Sequence, residues 1–285
     1  MNNIRIIHGN CIETLKRLND QSVNSCITSP PYWGLRDYGE TDQLGLEDTP
    51  EEFVDNLLVV FREVKRVLRD DGTVWLNLGD SYMLNKQLAC IPFRVALALQ
   101  ADGWYLRQDI IWHKPNPMPE SVKDRCTKAH EYIFLLSKNP KYYFDNEAIK
   151  EDSIYAPNKT HEKERAKGYY KGKWSNPEKG SRHDGSFKAI RDKKNKRSVW
   201  KVPNKGYKEA HFATYPTALI EPCVLAGCPL DGVVLDPFAG SGTTGIVAAN
   251  NSRNAVLLEL NQEYIDIAVR RIKDEAGIFA NTEIE

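Results

Sequence analysis

The sequence predicts an α/β, Rossmann-like fold with a mostly parallel sheet and one basic insertion. Three observations predict it. Short β-rich apolar runs alternate with longer stretches of helical periodicity. The run Gly232-Val233-Val234-Leu235-Asp236 ends in an acid and leads into a glycine turn and a helix, and Ala255 to Glu259 is again a strand ending in an acid. The stretch from about 150 to 211 breaks this rhythm with lysine, glycine, asparagine and scattered aromatic rings.

The elements follow in order. Ile4 to Ile7 reads as a strand and Ile12 to Leu18 as a helix. Val23 to Thr28 is a short strand that delivers Ser29-Pro30-Pro31-Tyr32 at its C-terminal end, where ligands of open α/β sheets gather. A helix opens at Pro50 and runs to about Leu68, with Phe53, Leu57, Leu58, Phe61, Val64 and Leu68 on one stripe. Asp70-Asp71-Gly72 is expected to stop it. Thr73 to Leu78 is a strand, Ile91 to Gln100 a helix and Tyr105 to Trp112 a strand, and Glu131 to Leu136 is expected to close the first half of the sheet. In the last third, Leu219 to Ala226 ends a helix, Gly242 to Asn250 forms another, and Gln262 to Glu275 closes the chain with Tyr264, Ile265, Ala268, Val269 and Ile272 inward.

Composition narrows the class. The chain has 285 residues, 41% hydrophobic and 27% charged, enough for one large core and an insertion. No run approaches a membrane span, and the N-terminus lacks the apolar core of a secretory signal. Six cysteines without regular spacing point to a reduced cytoplasm. Cys126 and His130 fall one helical turn apart, but two ligands do not make a zinc site, and no metal is expected. Net charge is zero yet segregated. Residues 150 to 209 hold 18 Lys/Arg against 8 Asp/Glu, and the remainder holds 21 against 31. A basic segment attracts a polyanion even within a neutral protein. Tyr169, Tyr170, Trp174, Phe187 and Trp200 lie among those lysines, a pattern that suits stacking beside phosphate contacts.

Two motifs carry chemistry. In Asp236-Pro237-Phe238-Ala239-Gly240-Ser241-Gly242-Thr243-Thr244, Gly240 and Gly242 permit a tight turn and close approach, and the helix beyond Ser241 offers its N-terminus to an anionic group. No lysine follows the glycines, so this is not a P-loop. Glu259 lies 23 residues after Asp236, a spacing that suits an acid gripping ribose hydroxyls. In Ser29-Pro30-Pro31-Tyr32, consecutive prolines restrict the backbone and pre-position two acceptors, the Ser29 hydroxyl and the Pro30 carbonyl. Tyr32 adds a ring face. Together they suit a planar base with an exocyclic amine. Cys26 is read as a small core residue rather than a nucleophile.

These residues resemble the DNA amino-methyltransferases, in particular the permuted β-like class. There the Ser/Asp-Pro-Pro-Tyr motif comes first, the target-recognition region lies between, and the cofactor motif comes last. Gly9-Asn10-Cys11, TSPPYWGLRDYG, WHKPNPMPES (112 to 121), KAHEYIFLLSK (128 to 138), HFATYP (211 to 216), DPFAGSGTTG and LLELNQEY (257 to 264) match family segments over nearly the whole chain. The chain has Asn10 where the family often has aspartate, which keeps hydrogen bonding and drops a charge.

The resemblance implies an S-adenosylmethionine-dependent methyltransferase fold, with a seven-stranded, mostly parallel sheet and a basic recognition insertion. It divides the chain into a catalytic half (1–149), an insertion (150–210) and a cofactor half (211–285). Ser29, Pro30, Pro31 and Tyr32 are the expected catalytic residues. Asn10, Asp236, Phe238, Gly240, Ser241, Gly242, Thr243, Glu259 and Asn261 are expected to bind S-adenosyl-L-methionine, with Glu259 on the ribose. The expected partner is double-stranded DNA, with one base flipped from the stack. Self-association as a homodimer and a restriction–modification setting with a cognate endonuclease are further expectations. The Ser-Pro-Pro-Tyr form points to cytosine N4; adenine N6 is the alternative. A non-catalytic DNA-binding protein and an RNA or protein-glutamine methyltransferase are the rival readings.

Overall fold

The computed structural model describes residues 2–40, 42–153, 192–204, 215–277 and 280–285. Its strands are β1 (Asn2–His8), β2 (Val23–Thr28), β3 (Leu68–Leu78), β4 (Tyr105–His113), β5 (His130–Ser137), β6 (Glu151–Asp152), β7 (Lys193–Lys194), β8 (Val199–Lys201), β9 (Val233–Asp236), β10 (Asn254–Glu259) and β11 (Ala280–Ile284). Its helices are α1 (Cys11–Leu15), α2 (Pro50–Val67), α3 (Ile91–Ala101), α4 (Thr217–Gly227), α5 (Thr243–Asn250) and α6 (Gln262–Ala276). None of these helices is long and apolar enough to cross a membrane.

Among the described residues, nine strands form the main sheet in the order β11-β1-β10-β9-β2-β3-β5-β4-β8. The seven expected strands are its centre, and two edge strands, β8 and β11, extend it. β5 alone of these runs antiparallel to its neighbours. It does not close a half of the sheet at an edge, as expected, but inserts between β3 and β4. β1, β10, β9, β2, β3 and β4 therefore all end on one sheet edge. That edge positions the site.

Helix α2 shows how sequence fixes an element. The Thr49 side chain accepts from the Glu52 amide at 3.2 Å, Pro50 occupies the first turn, and Lys65 and Arg66 complement the C-terminal carbonyls. Phe53, Leu57, Phe61 and Val64 are fully buried under the sheet. The helix ends at Val67, and the chain passes straight into β3 at Leu68. Asp70-Asp71-Gly72 is thus not the stop but part of the strand. The reason is packing: buried Leu68 lies so close to Gly72 that a Cβ there would stand 2.5 Å from the leucine Cγ. α1 is also shorter than expected, capped by Asn10 and ending at Leu15.

Residues 146–196 form a separate compact unit. Within it β6 and β7 pair antiparallel, Lys194 and Glu151 approach to 3.4 Å, and the Asn146 amide donates to Asn195 at 3.1 Å. Tyr169, Tyr170, Trp174 and Phe187 lie outside the described residues. Trp200 is not a ring offered to a nucleic acid. It is buried in β8, 6.5 Å from Trp75 between ring centroids, and its indole nitrogen donates to the Arg197 carbonyl.

Candidate active site

The glycine loop is built from β9, α5 and α6. Asp236 is fully buried at the end of β9 and accepts four hydrogen bonds. The donors are Thr28 (2.7 Å), Tyr215 (2.8 Å), Thr244 (2.5 Å) and the Phe238 amide (3.1 Å). Burial pushes its pKa up, and these donors oppose the rise. Asp236 thereby joins the end of β2, immediately before Ser29, to the start of α5. Gly240 and Gly242 both have positive φ, 51° and 78°. A Cβ on Gly242 would stand 2.8 Å from Ala268, so α6 packs directly on the loop, whereas one on Gly240 would meet nothing within 4 Å.

Glu259 ends β10 beside that open face. Its two oxygens accept from the Gly240 amide at 2.7 Å and the Asn261 amide at 3.0 Å, and burial raises its pKa. A carboxylate has lone pairs beyond these two bonds, so Glu259 can still receive hydroxyl donors. The expected residues Asn10 and Asn261 spend their carbonyl oxygens as helix caps, on the Ile12 amide and on the Glu263 and Tyr264 amides. The Asn261 amide also donates to Glu40 at 3.0 Å, and Tyr38 meets the Tyr264 ring edge-on. The segment after Tyr32 therefore lies against the start of α6. Phe238 is partly buried against the core.

Ser241 and Thr243 are turned to another task. Buried Arg271 of α6 donates from one nitrogen to the Ser241 carbonyl (3.0 Å), the Ser241 hydroxyl (2.6 Å) and the Thr243 hydroxyl (3.0 Å). Its Nε pairs with Glu275 at 2.9 Å. Arg271 holds the loop from behind, and sequence reasoning missed it.

The Ser-Pro-Pro-Tyr loop leaves β2 on the same edge. Pro30 is buried. Among the described residues, no donor reaches its carbonyl. The Ser29 hydroxyl accepts from the Asn77 amide at 3.3 Å and donates to the Tyr32 oxygen at 3.4 Å. The Tyr32 hydroxyl donates to Glu131 at 2.7 Å and accepts from Asn77 at 2.8 Å. Burial, then the Glu131 charge, drives the Tyr32 pKa well up, so the phenol keeps its proton. Glu131 also pairs with Lys114. The Tyr32 ring, expected as a stacking face, packs on Gly79, where a Cβ would stand 2.4 Å away.

Asn77, Glu131 and Lys114 are further residues that the sequence reading did not single out. Asn77 is 3% exposed, and its carbonyl oxygen is buried with no partner among the described residues. A polar residue inside the apolar run TVWLNL was its signal. Cys26 is fully buried, and burial raises its thiol well above the usual range, as suits a core residue.

A nine-stranded mixed sheet with a glycine loop at β9, an acid at β10 and a Pro-Pro loop at β2 defines an α/β methyltransferase fold. The DNA methylase family profile, of the N6/N4 type, matches residues 23–270, and the chain belongs to that family. Type II methyltransferase M.Cfr9I of Citrobacter freundii is 42% identical over 96% of this chain and 89% of its own length. Type II methyltransferase M.SmaI of Serratia marcescens is 43% identical over 94% and 90%. Among solved structures, the Thermus thermophilus DNA modification methylase TTHA0409, complexed with S-adenosyl-L-methionine, superposes with TM-score 0.66 at 25% identity, covering 99% of each chain. The cytosine-N4-specific PvuII DNA methyltransferase shares the fold with TM-score 0.70 at 20% identity, covering 100% of this chain and 95% of its own.

Proposed function

We propose that the chain transfers a methyl group from S-adenosylmethionine to the exocyclic N4 of cytosine in duplex DNA. The observation that carries the reading is the acceptor cluster at the end of β2. Ser29, the Pro30 carbonyl and the unpartnered Asn77 carbonyl oxygen gather where an amine would need acceptors. The open face of Gly240 and the remaining lone pairs of Glu259 fit a nucleoside cofactor. When bound, S-adenosylmethionine supplies an electrophilic methyl on a sulfonium, so the protein's part is alignment. Ser29 and Pro30 accept from the amine and draw its nitrogen toward tetrahedral geometry. The nitrogen must then lose a proton. The chain Ser29, Tyr32, Glu131 is hydrogen-bonded in the donating direction and offers it a route to a carboxylate.

The relatives named as type II methyltransferases support a role in protecting host DNA alongside a nuclease of the same sequence. Incubation with S-adenosylmethionine and mixed-sequence unmethylated duplex, followed by nucleoside mass spectrometry, tests the reading. N4-methylcytosine is the expected product. N6-methyladenine would keep the chemistry and overturn the base, and no methylated nucleoside would overturn the DNA substrate.

A further inference from the structure

Beyond Leu78 the chain turns through Gly79 and Asp80 into a braced hairpin. Tyr82 and Leu88 form an antiparallel bridge, and the Ala89 amide donates to the Ser81 carbonyl at 3.0 Å. The Met83 amide donates to the Gln87 carbonyl at 2.9 Å, and Lys86 takes φ 65° to close the turn. The Asp80 carboxylate anchors the base by accepting from the Ser81 and Ile91 amides, both at 3.0 Å. At the tip stands Leu84, 108% exposed, the highest value among the exposed large apolar side chains. On the loop from 114 to 129, Met118 is 82% exposed, and Val122 is also exposed.

The two loops are tied together. Lys86 and Asp124 approach to 3.8 Å, Arg125 lies 4.2 Å over the Tyr82 ring, and Lys128 donates to the Asp80 carbonyl at 3.0 Å. Both leave the sheet on the edge that carries Ser29, and Gly79 packs on Tyr32 itself. Single exposed apolar residues are ordinary. A leucine held fully in water on a braced turn, beside the reactive loop and a second apolar tip, adds nothing to the core. Across 80–90 and 114–128 there are five Lys/Arg against three Asp/Glu, a balance that tolerates a polyanion.

We infer that this hairpin is a wedge for duplex DNA, with Leu84 entering the stack where the target base leaves it. Apolar wedges between base steps are an established way to hold a distorted duplex. The inference rests on the proposed DNA substrate.

The test uses the full chain and a duplex bearing the sequence that the wild type methylates, in two forms, fully paired and mispaired at the target base. Leu84→Ala is expected to lower kcat/KM on the paired duplex tenfold or more and leave S-adenosylmethionine affinity unchanged. On the mispaired duplex, whose target base is already loosened, the deficit should shrink to within twofold. Leu84→Met should restore most of the paired-duplex rate. Equal loss on both duplexes, or no loss on either, overturns the wedge. So does a variant that methylates normally but sediments as a smaller assembly, which would assign the tip to contact between copies. A wild-type chain that methylates no DNA overturns the substrate and the wedge together, whereas wild-type methylation with an indifferent Leu84→Ala overturns the wedge alone.

Discussion

Ser29 sits between an amide that donates to it and a phenol that receives from it. Its replacement by alanine should remove about 2 kcal/mol of transition-state hydrogen bonding, roughly thirtyfold in kcat. Glu131→Gln should also lower kcat. Cofactor affinity by equilibrium dialysis should stay unchanged in both, and parallel loss of affinity would show a structural role instead. Arg271→Lys keeps the charge but loses the fork that reaches both Ser241 and Thr243, so it should weaken cofactor binding about tenfold with little change in kcat. Asp236 carries a pH signature. A carboxyl whose folded pKa is raised contributes stability that is full below its unfolded value, 3.8, and is lost as pH rises through the folded value. Asp236→Asn removes that titration. Thermal melts should therefore show the wild type losing ground to the variant as pH rises above the ordinary aspartate range, and a constant difference would count against it. Ser29, Asp236 and Glu259 were legible because they lie in contiguous motifs at strand ends. Glu131 and Arg271 were not, because a glutamate in a strand and an arginine in an amphipathic helix look solvated until the sheet order brings them behind the loops.

At the scale of elements, apolar runs with flanking turn residues placed β2, β9 and α2 to within a residue or two. Elements governed by distant pairing were not legible. β11 has the polar sequence ANTEI and is defined only by its register against β1. β8 is three residues long and is recruited by β4. The antiparallel insertion of β5 depends on two neighbours far along the chain. The strongly patterned elements should carry the stability. Phe61 is fully buried between α2 and the sheet, so Phe61→Ala should cost about 3–5 kcal/mol in denaturant unfolding. A loss under about 1 kcal/mol would mean that the core repacks around the gap.

For the molecule as a whole, charge segregation was visible in composition alone, whereas its spatial arrangement was not. Lys193 is exposed at the end of the basic stretch, and Lys194 shares its charge with Glu151. Neutralising Lys193, Lys194, Lys196 and Arg197 together should weaken DNA binding and flatten its dependence on salt, by about 0.9 in log–log slope for each phosphate that the variant no longer neutralises. Binding titrations between low and physiological salt measure this, and an unchanged slope would place these side chains away from phosphate.

The order of strands also dictates when this sheet becomes whole. β1 comprises residues 2–8, yet both its neighbours, β10 and β11, lie beyond residue 253. During synthesis β1 leaves the ribosome long before either partner exists, and β2 likewise waits for β9 on one side. The sheet therefore closes only once residues 280–284 have emerged, through long-range pairings that form slowly. Until then the unpaired edges of β1 are open to chaperones, to proteases and to neighbouring nascent chains.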